Sequence, residues 1–218
     1  MKMLRVAMPG IIKSFDEQKQ TATVQPAVTE NIKIGNKPPE PKELPILQDV
    51  PVHYLRAGKF SITIPVKEGD ECLVVFGDSC IDGWWQSGGV QDQMETRRHD
   101  LSDAFAIVGT SSVPKALKEY STDSIRIRNE DNDTFIDLKE ELITVESKQD
   151  INVKAEGNID IKAQQINITA NLIDVDCPMT IFHGEIIVDV EATIGGIAFT
   201  PHTHGGVEVG GGNTTGPQ

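Results

Sequence analysis

The sequence predicts an all-β protein in two parts, a small N-terminal barrel followed by a stack of short strands that several chains must share. Two patterns predict it. Short alternating apolar runs, punctuated by tight-turn residues, fill the first part, and no amphipathic helical stretch there exceeds ten residues. A repeating apolar-x-apolar pair then runs from Ile125 to Val175. Composition shifts with the pattern. Residues 1–123 hold 17 acidic and 14 basic side chains with both tryptophans and both tyrosines, whereas residues 124–198 hold 15 acidic and 6 basic.

In the first part, Gly10–Val28 gives two strands joined by the polar FDEQKQ turn. Residues 31–45 carry Pro38, Pro39, Pro41 and Pro45 and are expected to form a loop, because proline lacks an N–H and fixes φ. Phe60, Ile62, Ile64 and Val66 share one face at period two. Gly58-Lys59 and Gly69-Asp70 supply the turns around that run, and CLVVF follows as a strand. The polar segment after Asp78 wraps the barrel and returns at AFAIVG. Short strands at this spacing fit a five-stranded barrel of the OB type over residues 1–112, with a linker at 113–123.

Barrels of this type often hold single-stranded nucleic acid on aromatics in a basic groove. Trp84-Trp85 and Arg97-Arg98 could serve such a role. The chain, however, has 33 acidic against 20 basic residues and a net charge of −13, which repels phosphate. The tryptophans are therefore expected to pack at a barrel mouth or a subunit contact, with both arginines solvated. No nucleic-acid partner is expected.

In the second part, residues 124–198, the pairs are Ile125/Ile127, Ile136/Leu138, Ile143/Val145, Ile151/Val153, Ile159/Ile161, Ile166/Ile168 and Ile173/Val175. From Ile143 onward their first members are spaced 8, 8, 7 and 7 residues apart. Each pair points both side chains to one side of a strand, with polar or charged residues between. Turns this short leave one chain no room for a three-sided coil. Three chains contributing strands in rotation would bury every pair along one axis and pair the strand edges. The expectation is an intertwined homotrimeric, triple-stranded β-helix; an antiparallel meander within one chain is the alternative. Cys177, before Pro178, is expected to mark a bend with a buried thiol.

Residues 199–218 form a glycine-rich end with His202 and His204, two residues apart, so in an extended segment both imidazoles project to one side. One chain supplies too few ligands for a stable metal site. Three chains around an axis supply six nitrogens, a set suited to an octahedral first-row transition ion, whereas zinc favours four ligands. Gly205, Gly206 and Gly210–Gly212 permit tight reversal near such an axis. His53, His99 and His183 are isolated and carry no assigned role.

The order of parts, with the strand-rich N-terminal segment, the Ile-x-Ile/Val octads and the ending PHTHGGVEVGGGNTTGPQ, resembles the small central spike proteins of contractile-tailed phages, the baseplate assembly protein V type. The resemblance implies a virion protein at the tip of the tail baseplate: a homotrimer whose OB barrel docks under the baseplate hub protein. Its β-helix would taper to a pointed apex that pierces the host outer membrane. It further implies one iron ion per trimer, held by six nitrogens from His202 and His204 of the three chains.

A related contractile injection device, such as a tailocin or type VI secretion spike, is one alternative. A receptor-binding tail fibre is another, although its tip should carry a bulky aromatic-rich domain. Enzyme activity is not expected: there is no G-x-S-x-G, H-E-x-x-H or phosphate loop, and residues 111–124 are too short to hold the lysozyme domain of larger relatives. Met1–Gly10 has no apolar core long enough for a signal peptide and no run of 18 apolar residues occurs, so synthesis in the host cytoplasm is expected.

Overall fold

Fourteen short strands account for nearly all regular structure in the computed structural model, which describes residues 4–33 and 35–201. Among these residues no helix is long and apolar enough to cross a membrane. The chain divides into two compact units, one ending at Val153 and one beginning at Lys154.

In the first unit, β1 (Ala7–Asp16) and β2 (Thr21–Pro26) form the predicted hairpin across the polar turn. Asp16 holds that turn by accepting the Gln18 and Lys19 amides at 2.9 Å each. After β2 come β3 (Thr29–Ile32), β4 (Glu40–Glu43), β5 (Leu47–His53), β6 (Leu55–Ala57) and β7 (Phe60–Ile62). Then follow β8 (Glu71–Phe76), the one-turn helix α1 (Asp82–Ser87) and β9 (Ala104–Val108).

Five of these strands close a barrel in the order β1-β2-β5-β9-β8. Every neighbouring pair is antiparallel except β5–β9, where Val52 faces Ala106 and His53 faces Ile107. This is an OB-like arrangement, a five-stranded Greek-key barrel closed by one parallel pair. Strand β1 serves both neighbours, with Gly10 opposite Pro26 on one side and Cys72 on the other, and its register shifts between Ile12 and Ser14. Such a bulge bends the strand, and bending lets one strand belong to both walls of a small barrel.

The barrel interior is filled mostly by small and β-branched side chains, with Ile12, Ala22, Val24, Val74, Ala104 and Ala106 nearly or fully buried. Phe76 is its one buried aromatic ring. Cys72 lies in this core, and burial pushes its thiol up to about 11.

Two expectations for this part change. The proline-rich stretch is not only a loop: β3 and β4 make a two-stranded ribbon with Asn31 opposite Pro41. A two-stranded ribbon has free edges, so the amide that proline lacks need not be missed. Phe60 and Ile62 do share a face, as period two requires, but that face is not barrel core. Gly58-Lys59 closes a separate hairpin, β6–β7, on which Phe60 is 87% exposed.

After the 3-10 turn Val113–Lys115, the strands β10 (Ile125–Arg128), β11 (Thr134–Leu138) and β12 (Ile143–Ser147) form an antiparallel meander. Ile125 faces Leu138, Ile127 faces Ile136, and Ile136 in turn faces Val145. The first three apolar pairs of the series therefore adopt the arrangement weighed as the alternative for the whole region. Their turns explain why. Asn129 accepts the Asp133 and Thr134 amides through its side chain, and Asn132 takes φ +58°. An Asn/Asp-rich turn of this kind does the work of a hairpin dipeptide.

In the second unit, the described residues form one small hairpin, β13 (Thr193–Ile194) with β14 (Ile197–Ala198), across Gly195 and Gly196 at φ +57° and +83°. The positive φ at both turn positions is where glycine is needed.

Gly10 offers a direct check on the barrel. A Cβ there would come within 2.6 Å of Val24 Cγ1 and 2.8 Å of Val74 Cγ2. Both neighbours are stiff and fully buried, so Gly10→Ala should destabilise the barrel by about 1–3 kcal/mol through overpacking. Urea unfolding followed by tryptophan fluorescence should show a lower midpoint; an unchanged midpoint would contradict this close approach.

Candidate functional site

The segment between β8 and β9 is anchored by one buried carboxylate. Gly77 donates its amide to the Asp103 carbonyl at 2.7 Å, which brings the two ends of the segment together. The Asp103 side chain, 0% exposed, accepts the Ile81 amide at 3.0 Å. It also accepts two bonds from Arg97, Nε at 2.9 Å and Nη2 at 3.0 Å. Arg97 reaches further, donating to Asp82 at 2.7 Å, Glu95 at 2.9 Å and the Cys80 sulfur at 3.1 Å.

Asp103 and then Asp82 raise the Arg97 pKa, and Arg97 holds the Asp82 carboxyl below its ordinary value. The Cys80, Asp82 and Asp103 ligand atoms lie within 4.8 Å of one another, a spacing that could suit a metal. Here the Arg97 guanidinium already donates to all three, and a second cation would meet its repulsion. The cluster is an internal staple; removing one member of a buried ion pair costs on the order of 3–5 kcal/mol.

Arg97 is therefore not the solvated residue the sequence suggested. Its partner is a buried Asp six residues on, and opposite charges so close in a polar loop read as surface. Arg98 does stay half exposed, bonding Asp78 and the Ser79 hydroxyl. His99 lies 3.4 Å from Asp78.

The tryptophans sit on α1. Trp84 packs on Phe105 of β9 with ring centroids 5.7 Å apart, and Trp84 and Trp85 are 6.3 Å apart. Both rings remain over a third exposed. The nearby arginines are committed to carboxylates, so these rings do not line a basic groove of the kind that stacks bases.

The meander is pinned by a second acid–arginine pair. Asp137, 4% exposed, accepts the Ser124 hydroxyl at 2.6 Å and Arg126 Nε at 2.9 Å. Arg126 also bonds the Asn132 side chain at 3.1 Å, and its guanidinium carbon lies 4.6 Å above the Phe135 ring centroid. Arg126, and then Ser124, pull the Asp137 carboxyl down from 3.8 to about 2.

Beyond the meander the series has no strand partner among the described residues. Residues 148–192 form no strand, and Ile159, Ile161, Ile166, Ile168, Ile173 and Val175 are each more than half exposed. Cys177 is exposed too, not buried as expected, its sulfur 3.1 Å from the Thr180 hydroxyl. No described residue of the chain covers that bend.

The approach to the histidines is fixed. Phe199 donates its amide to the Ala192 carbonyl at 2.7 Å, and Thr200 donates its amide to Glu191 at 3.0 Å, which lowers the Glu191 pKa. His202 and His204, the proposed metal ligands, lie outside the described residues.

With this geometry in view, the comparisons bear on origin. Residues 8–109 match the family model of the phage protein Gp138 N-terminal domain, a stretch that takes in nearly all of the barrel and somewhat less than half of the chain. The match supports a phage structural protein and a component of the virion. Among curated proteins nothing matches the chain.

The Asp137 pair makes a pH prediction. The folded carboxyl titrates below the unfolded one, so its contribution is complete above pH about 4 and is lost as pH falls toward 2. Chemical denaturation across that window should show falling stability, and Asp137→Asn should flatten the dependence. An equally steep fall in the variant would assign the acid sensitivity elsewhere.

Proposed function

We propose that the protein is the central spike of a contractile phage tail: a homotrimer seated under the baseplate hub by its barrel and driven apex first through the host outer membrane. One observation carries this reading. The apolar pairs from Ile159 to Val175 recur with a strand period and yet find neither a backbone partner nor a core among the described residues of their own chain. Apolar surface of this extent, regularly placed, is stable in water only if other chains cover it.

Three chains suit turns of seven or eight residues, because each side of a shared prism then needs only one short strand per chain. The barrel's match to a phage protein domain supports the setting. A rod so built resists compression and bending because its interchain hydrogen bonds act together. The acidic excess of residues 124–198 keeps its outside hydrated and free of the phosphate-rich genome.

At the apex, His202 and His204 from three chains offer six imidazole nitrogens, a donor set suited to iron or another first-row transition ion. Six protein ligands leave no open position for a substrate, so the ion's role is structural and the protein is not an enzyme. Glu191 and Ala192, by tethering Thr200 and Phe199, hold the chain that leads into the ligands.

Two readouts test this. Elemental analysis of the purified full chain should find one transition ion per three chains, lost in the His202→Ala/His204→Ala variant. An assembled protein free of metal would overturn the apex site. Immunogold labelling of whole virions should mark the distal tip of the tail, and label along fibres would overturn the spike role.

A further inference from the structure

Two exposed apolar patches on the first unit remain without an occupant. The first is the β6–β7 hairpin. Leu55 pairs with Ile62 and Ala57 with Phe60, so these four side chains share one face, while Arg56 and Ser61 share the other. Leu55 is 68% exposed, and Ile64, just past the hairpin, is exposed as well. From Val50 to Lys67 the chain carries Arg56, Lys59 and Lys67 and no acidic residue.

The second patch is the α1 loop. Trp84, Trp85, Val90 and Met94 are all exposed there. The loop folds back on the helix so closely that a Cβ on Gly83 would lie 3.3 Å from Gln91 Cβ and 3.6 Å from Met94 Cγ. Residues 78–100 include five acidic residues against two arginines, and those arginines bond Asp78, Asp82 and Glu95, which leaves the segment net acidic.

Topology keeps the patches apart within a chain. Strand β5 runs parallel to β9, so the hairpin leaves the barrel at the end where β9 finishes. The α1 loop joins the end of β8 to the start of β9, at the opposite end. One patch is apolar with a basic surround and the other is aromatic with an acidic surround. Each would repel its own kind across a symmetric contact and suits the other in a head-to-tail one.

We propose that the β6–β7 hairpin of one chain docks on the Trp84–Met94 loop of the next, so that three barrels close a ring by three identical contacts. This rests on the three-chain reading, which limits the number of copies and lets a head-to-tail contact close. Phe60, Leu55 and Ile62 would cover the tryptophan pair, with Lys59 at the hairpin tip set beside Asp92.

Disulfide trapping in the full chain tests the contact. In a Cys80→Ser/Cys177→Ser background, Phe60→Cys with Met94→Cys should give covalent dimers and closed covalent trimers on mild oxidation, and neither single variant should. Lys59→Glu should abolish that yield, and adding Asp92→Lys should restore it. Light scattering on the same samples separates the causes. A trimeric mass without cross-links, or equal cross-linking by a single variant, overturns this contact alone. A monomeric mass overturns the three-chain reading and the contact with it.

Discussion

The rest of the molecule depends on an imbalance of burial. One chain makes a closed barrel with a modest core and a pinned meander, and then continues for some forty residues whose isoleucines and valines face water. At about 25 cal/mol per Å² of apolar surface, leaving those side chains in water forgoes a large stabilisation. On the proposed reading, so regular a pattern is completed by other chains, and function as a rod and dependence on partner chains have the same origin.

The first unit solves a different problem, that of holding a long polar segment on a small barrel. It does so with a buried carboxylate. Asp103 binds the backbone of Ile81 through its side chain and that of Gly77 through its carbonyl, and Arg97 ties the intervening loop to both. The meander repeats the device with Asp137 and Arg126. In each case the acidic residue is an internal fastener paired with an arginine, so the pair leaves the net charge of −13 unchanged while removing two charges from the solvated count. The tryptophan-bearing loop is held rigid without burying its rings, which suits a contact surface.

Much of the barrel was legible in the sequence. The hairpin β1–β2, the turns at Gly58-Lys59 and Gly69, and the return at Ala104 follow from period-two alternation and positive-φ glycines. Strand order was not legible, because the parallel β5–β9 pair joins segments about fifty residues apart, and nothing local encodes that choice. The hairpin β6–β7 differs from the expectation because an apolar face at period two reads the same whether it meets the barrel core or lies exposed. The meander was hidden because its turn uses Asn129 and Asn132 in place of Asn-Gly. Of the candidate site, the unpartnered series was visible as a repeat, whereas the Arg97 and Asp137 pairs needed tertiary contacts to appear. The histidine pair stands on spacing and resemblance.

The measurement that bears most directly on the central claim is the molar mass of the purified full chain by light scattering in dilute, near-neutral buffer. Three chains of 23.8 kDa should give a species near 71 kDa that does not dissociate on dilution. A stable species at the mass of one chain would contradict the account, since the apolar pairs would then have to be tolerated in water or covered from within.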